Sequence, residues 1–281
     1  MDICTFWYGT RLRPVDHMCL ISMVHTGQRV KLFSYQPVEN LPEGVEQHDA
    51  AAILPIEAFR RLDPGFPDLK DYVTIVQFSD IFRINLMKHS QGVWLDTDVY
   101  LHKQFHPDAS KPYLARENKE RVGVSALYFP PDHPVIAEFD AYMAGDYPLP
   151  KWLGLRRRVL RPLWYKLTGK PVTPAAIGIT VFGNDGISRL AKKYNCFEDA
   201  APKENFYYWT GRDCLNMFNP QYGLEPLQHP DFIGFHIHRK SPEELVVREG
   251  SFYTWMLQTT GMLQTTGMLQ TTGELPVSAK L

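Results

Sequence analysis

The chain has 281 residues, 44% of them hydrophobic and 22% charged, with a formal net charge of −1. That length and apolar fraction are enough for one large core, and they exclude a disordered chain or a small disulfide-dependent scaffold. The charge balance excludes a global attraction to nucleic acid, and no apolar run reaches the roughly 18 residues of a membrane-spanning helix.

Residues 3 to 8 are apolar and aromatic and read as a strand ending at Gly9. Residues 14 to 26 read as a helix with Met18, Ile21 and Val24 on one side, terminated by Gly27. A second strand follows at 30 to 35 and a third within 45 to 54. Strand, helix, strand implies a parallel sheet, and nucleotides bind beyond the carboxyl ends of such strands. Phe6, Trp7 and Gly9 therefore line a candidate nucleobase pocket, with core packing at a strand end as the competing reading. Residues 77 to 90 carry Phe78, Ile81, Phe82, Asn85 and Leu86 at helical spacing, with Ser79 as a cap or turn at the start. Asp80 and Arg83 are three apart and share a face. Gly92 then turns the chain into GVWLDTDVYL, a buried strand with Asp96 and Asp98 at its mouth. Carboxylates are costly to bury without a cation, so this pair points to a divalent metal held by hard oxygens. A bare Asp-X-Asp also reads as two solvated aspartates.

The order helix with an Asp/Arg face, glycine turn, buried strand, paired aspartates resembles the sugar-binding region of the retaining glycosyltransferases of family 32. That family includes α-1,4-galactosyltransferases, yeast mannosyltransferases and relatives of the large clostridial toxins. Ser79, Asp80, Arg83, Leu86, Gly92, Trp94, Leu95, Asp96 and Asp98 match, while Gln91 stands where the family has the first glycine of a pair. The resemblance implies a GT-A-like α/β fold, a Rossmann-type, mostly parallel sheet flanked by helices. It implies a UDP-sugar donor and a Mn²⁺ (or Mg²⁺) ion, with Asp98 binding the metal directly and Asp96 binding the ribose, the metal, or both. Asp80 and Arg83 would hold the donor sugar and its phosphate side, with retention of anomeric configuration.

Residues 115 to 129 return to the sheet through VGVSALYF. Residues 151 to 170 hold seven Lys or Arg and no acid, with Trp152, Leu155, Val159, Leu163 and Leu167 at helical spacing and Trp164 adjacent. Pro162 is expected to divide the stretch into two short helices. This basic insertion reads as a contact with an anionic membrane surface, against a solvated basic face or an anionic-acceptor groove. The turn Gly183-Asn184-Asp185-Gly186 opens a helix with Ile187, Leu190 and Ala191 on its face. The resemblance places Thr180, Gly183 and Asn184 near the donor sugar, although the family's proline is absent. In the segment FIGFHIHRKSPEEL, His236 and His238 alternate on one side, either as metal ligands or as structural histidines. The resemblance matches His236 to the family histidine and puts His238 where tryptophan is common. MLQTTG occurs three times from 256 to 273 and reads as a low-complexity tail. The expected division is a catalytic domain at 1 to 255 and a repeat tail at 256 to 281.

The functional expectation is a metal-dependent hexosyltransferase that moves a sugar from a UDP-sugar to a hydroxyl of a glycan or lipid-linked oligosaccharide. It belongs to bacterial surface polysaccharide synthesis (lipopolysaccharide or capsule). Four cysteines without metal spacing and an N-terminus without a signal-peptide pattern place it in the cytoplasm, peripheral on the plasma membrane. The alternatives are a haloacid-dehalogenase-type phosphatase using Asp96 as nucleophile and a non-catalytic glycan-binding protein.

Overall fold

The computed structural model describes residues 1–67, 72–238 and 245–263. Four short strands rich in β-branched and aromatic residues lie side by side: β1 (Ile3–Trp7), β2 (Val30–Ser34), β3 (Val45–Asp49) and β4 (Val93–Leu95). All pair parallel, with β1 central between β2 and β4. Two further strands, β6 (Tyr113–Arg116) and β7 (Val122–Tyr128), extend the sheet antiparallel, giving the order β3–β2–β1–β4–β7–β6. A two-stranded antiparallel ribbon of β5 (Val99–Leu101) and β8 (Gly234–His236) lies beside it. The fold is therefore mixed α/β with a mostly parallel central sheet flanked by helices, as expected.

Successive strand residues serve opposite faces. Cys4, Phe6 and Trp94 pack into one apolar cluster with Phe78 and Phe82, whereas Ile3, Val93 and Leu95 pack into another with Leu20 and Met23. The first cluster is roofed by α2 (Tyr72–Lys88), α3 (Pro134–Met143) and α6 (Asn184–Lys193), the second by α1 (Pro14–His25). Gly92 forms the turn into β4 at φ +151°, and a Cβ there would strike the Asp2 carbonyl, so the retained glycine of the expected pair is the one the turn requires.

Two expectations are corrected. Helix α2 extends back at least to Tyr72, so Ser79 is an interior residue and not a cap. The basic segment forms two short helices, as expected: a π-helical turn (Arg156–Leu160) abuts α4 (Arg161–Leu167), and Pro162 sits in the first turn of α4. The boundary drawn at residue 255 falls inside α7 (Phe252–Thr259), which is capped by Ser251. Met256 is fully buried and Leu257 nearly so, in a cluster with Val15, Met18 and Phe235. The first MLQTTG copy is thus part of the folded body, Met262 and Leu263 of the second still pack against that cluster, and the remainder of the repeats lies outside the described residues.

Candidate active site

Helix α2 turns Asp80 and Arg83 inward toward the end of β4. Both are buried, at 3% and 4% exposure, which a buried Asp and Arg tolerate only as partners. The Arg83 guanidinium lies 3.0 Å from Asp80 Oδ1 and 3.4 Å from Asp96 Oδ1. It also donates to the Val124 carbonyl at 2.6 Å and sits 4.7 Å from the centre of the Trp94 ring. The Trp94 Nε1–H in turn donates to Asp96 Oδ1 at 2.7 Å. Asp96 is therefore fixed from two sides.

The Asp-Thr-Asp turn is anchored by its neighbours. The Asp96 amide donates to the Ser125 carbonyl at 2.8 Å, beside the last β4–β7 pair. The Thr97 hydroxyl donates to the fully buried Asp16 at 2.6 Å, and Asp16 is held by Arg13 at the same distance. The Ile237 amide donates to the Asp98 carbonyl at 2.9 Å, and β8 pairs with β5 so that His236 lies opposite Val99. This ribbon brings His236 Nε2 to 3.4 Å from Asp98 Oδ1. Asp96, Asp98 and His236 offer ligand atoms all within 4.8 Å of one another. His238 is outside this group, with its ring nitrogen 3.4 Å from the Gly211 carbonyl and its ring 5.5 Å from that of His236.

The donor set fits a divalent cation. Asp80 and Asp96 share the single guanidinium of Arg83, and Asp98 faces His236, so the carboxylates outnumber the one fixed cation. Burial is the largest single influence on Asp96 and works to raise its pKa, but the charges of Arg83 and His236 together with hydrogen bonds from Trp94 and Ser125 outweigh it and hold the carboxyl below its usual range. Burial lowers the His236 pKa against the pull of Asp96 and Glu117, which favours the neutral imidazole that a metal needs. Burial raises Asp80 to about 7, opposed by Arg83 and reinforced by Asp96. Two carboxylates and an imidazole suit Mn²⁺ better than Mg²⁺, which takes oxygen ligands.

The loop before α6 forms one wall of the site. Gly183 comes so close to Asp80 that a Cβ there would lie 2.8 Å from Oδ2. Asn184 follows, with Nδ2 donating to Glu117 Oε2 at 2.8 Å. The cleft therefore gathers Asp80, Arg83, Asp96, Asp98, Asn184 and His236 from four distant segments. At the end of β1, Trp7 is half-buried beneath the Arg13 guanidinium at 5.4 Å, and its Nε1 is buried with no hydrogen-bond partner among the described residues. Gly9, at φ +140°, lies against that indole. Phe6 is a correction. Its ring is stacked on Phe82 at 4.4 Å and edges Tyr35 in the core, so its side chain is committed to packing and not to a nucleobase.

Sequence reasoning passed over Asp16 and Glu117. Asp16 is an acidic residue in the first turn of α1, where the helix dipole accounts for it. Glu117 lies among charged turn residues, and no local pattern separates it from Lys119 and Glu120.

No family model matches the chain, and no curated protein matches it. Among solved structures, "PaToxG Glycosyltransferase" overlaps 70% of this chain and 84% of its own, with a TM-score of 0.39 and 14% sequence identity.

Proposed function

We propose that this protein is a metal-dependent glycosyltransferase using a UDP-sugar donor. The observation that carries the reading is the Asp96–Asp98–His236 trio at the carboxyl edge of a parallel sheet, next to the buried Asp80–Arg83 pair. Nucleotides bind at that edge in open α/β sheets. Asp96, Asp98 and His236 would hold Mn²⁺, which when bound offsets charge on a departing diphosphate. Trp7 and the Gly9 backbone line the nucleobase end. Asp80 and Arg83 orient the donor sugar, and the Asn184 amide, with its nitrogen engaged by Glu117, turns its oxygen toward sugar hydroxyls. Transfer with retention, to a hydroxyl of a glycan or lipid-linked oligosaccharide, completes the reading. It places the chain in surface polysaccharide synthesis at the cytoplasmic face of a bacterial membrane. Among the described residues no helix is long and apolar enough to cross a membrane.

The phosphatase alternative needs Asp96 as a free nucleophile. Its Oδ1 instead accepts from Trp94 and lies beside Arg83, which restrains attack. Incubation with a panel of UDP-sugars and Mn²⁺, measuring UDP release with and without EDTA, tests the proposal. Chelator-sensitive UDP release is expected. Inorganic phosphate from phosphomonoesters, or no release from any donor, would refute it.

A further inference from the structure

We infer that the helical run of residues 155–167 is a docking surface for an anionic lipid bilayer, and that it turns the candidate site toward a lipid-borne acceptor. The second half of that statement rests on the glycosyltransferase reading, and the first half does not.

An amphipathic helix of a globular protein puts its apolar side chains inward. Here they point out. Leu155, Leu160, Leu163, Trp164 and Leu167 are between 51% and 86% exposed, while Pro162 and Tyr165 face the body. With Val159, this stretch holds six of the thirteen large hydrophobic side chains that are exposed among the described residues. Leu160, Leu163, Trp164 and Leu167 follow at three- and four-residue spacing on one face, beginning one turn after Arg156. A shallow cavity of about 690 Å³, lined by Arg156, Arg157, Leu160, Arg161 and Trp164, opens in that face. Concentrated apolar patches mark interaction sites. Cations beside leucine and tryptophan match an anionic membrane surface, where the indole sits at headgroup level. A second copy of the chain fits poorly, because a two-fold interface would set this all-cationic patch against itself.

The cations divide into two groups. Arg157 is bound to Asp185 at 2.6 Å and Arg161 donates to the Ile177 carbonyl at 2.8 Å. Trp152 donates to the Val181 carbonyl at 3.0 Å and Tyr165 to the Ala176 carbonyl at 3.0 Å. Three of these contacts tie the docking run, and Trp152 the residues just before it, to residues 176–185, which include the Gly183–Asn184 wall beside Asp80. The surface and that wall are joined by these contacts, so a bilayer seated on the leucines sets the direction in which the site opens. Arg156, Lys166 and Lys170 are exposed with no carboxylate partner among the described residues, and these face the lipid headgroups.

The test uses the full chain and vesicles of phosphatidylcholine alone or mixed with phosphatidylglycerol, in a sedimentation assay. Binding is expected to the mixed vesicles only and to weaken with salt. The triple variant Arg156→Gln, Lys166→Gln, Lys170→Gln should lower partitioning about a hundredfold, at roughly fivefold per cation. The triple variant Leu163→Ser, Trp164→Ser, Leu167→Ser should lose binding even at low salt. Leu167→Ser alone, at 86% exposure, should weaken binding with no change in melting temperature and keeps the test open if a triple variant fails to fold. Each variant should transfer to a soluble acceptor like wild type and lose transfer to a vesicle-borne one. Equal binding to neutral vesicles, wild-type binding by both triples, or self-association that the apolar triple abolishes would each overturn docking. Vesicle binding without UDP release from any donor would leave docking standing while refuting the glycosyltransferase reading.

Discussion

Replacing Arg83 with lysine keeps the charge and tests the geometry. The guanidinium reaches Asp80, Asp96 and the Val124 carbonyl at once, at 3.0, 3.4 and 2.6 Å, while lying over Trp94. An ammonium group is a point charge on a flexible stem and cannot span three acceptors in one plane. It keeps one carboxylate and loses the other contacts. A buried hydrogen bond involving a charged group contributes about 1.5–3 kcal/mol, and a desolvated cation–aromatic contact about 2 kcal/mol. The expected destabilisation is therefore about 3–5 kcal/mol, a large part of the roughly 5–15 kcal/mol that holds a protein folded. The melting temperature should fall by about 10 °C. UDP release should fall more than about a hundredfold at a temperature where the variant is folded, because Asp96 loses one of its two restraints. Differential scanning calorimetry and a UDP-release assay read both quantities. A variant within about 2 °C of wild type and with turnover near normal would show that Arg83 does not clamp the site.

Asp98→Asn should keep the fold and raise the Mn²⁺ dissociation constant by more than the roughly 10–100-fold seen when an outer-shell partner is removed, measured by calorimetric titration. An unchanged constant would remove Asp98 from the ligand set. His236→Ala should weaken Mn²⁺ dependence more than His238→Ala, since only His236 reaches Asp96 and Asp98 within 4.8 Å. The opposite order in a metal titration of activity would reverse the assignment. Met256→Ala should cost about 2–5 kcal/mol in denaturant unfolding, because the side chain is fully buried. Removal of residues 256–281 should leave little folded protein, and a truncated chain that melts like wild type would show that α7 is dispensable.

The local parts of the site were legible. Asp80 and Arg83 share a helix face by spacing, and Asp96 and Asp98 end an apolar strand, so short-range pattern was enough. The start of α2 was not, because Tyr72-Val73-Thr74-Ile75 is β-prone. Burial decides it instead: Thr74 is buried, and Gln77 donates across to the Gly178 carbonyl at 2.9 Å. The tail failed for a related reason. Three identical repeats look alike, but only the first follows Ser251, whose hydroxyl accepts from the Thr254 amide at 3.2 Å and starts a helix. Tyr100 then meets Thr259 at 2.8 Å, and the repeat enters the core.

Topology explains why Glu117 had no signal. In the parallel part of the sheet, β1 and β4 end at one edge, where Trp7 and Asp96 emerge. Strand β7 runs the other way, pairing Ala126 with Leu95, so its beginning lies at that same edge. The Val124 and Ser125 carbonyls can then accept from Arg83 and the Asp96 amide. The β6–β7 turn that precedes them is brought there too, with Glu117 facing Asn184. Had β7 paired parallel, the turn would lie at the opposite edge and Glu117 would be an ordinary surface acid. The reversal of strand direction next to β4 thus adds a second wall to a cleft that the parallel strands only begin, and no residue pattern within 117–121 encodes it.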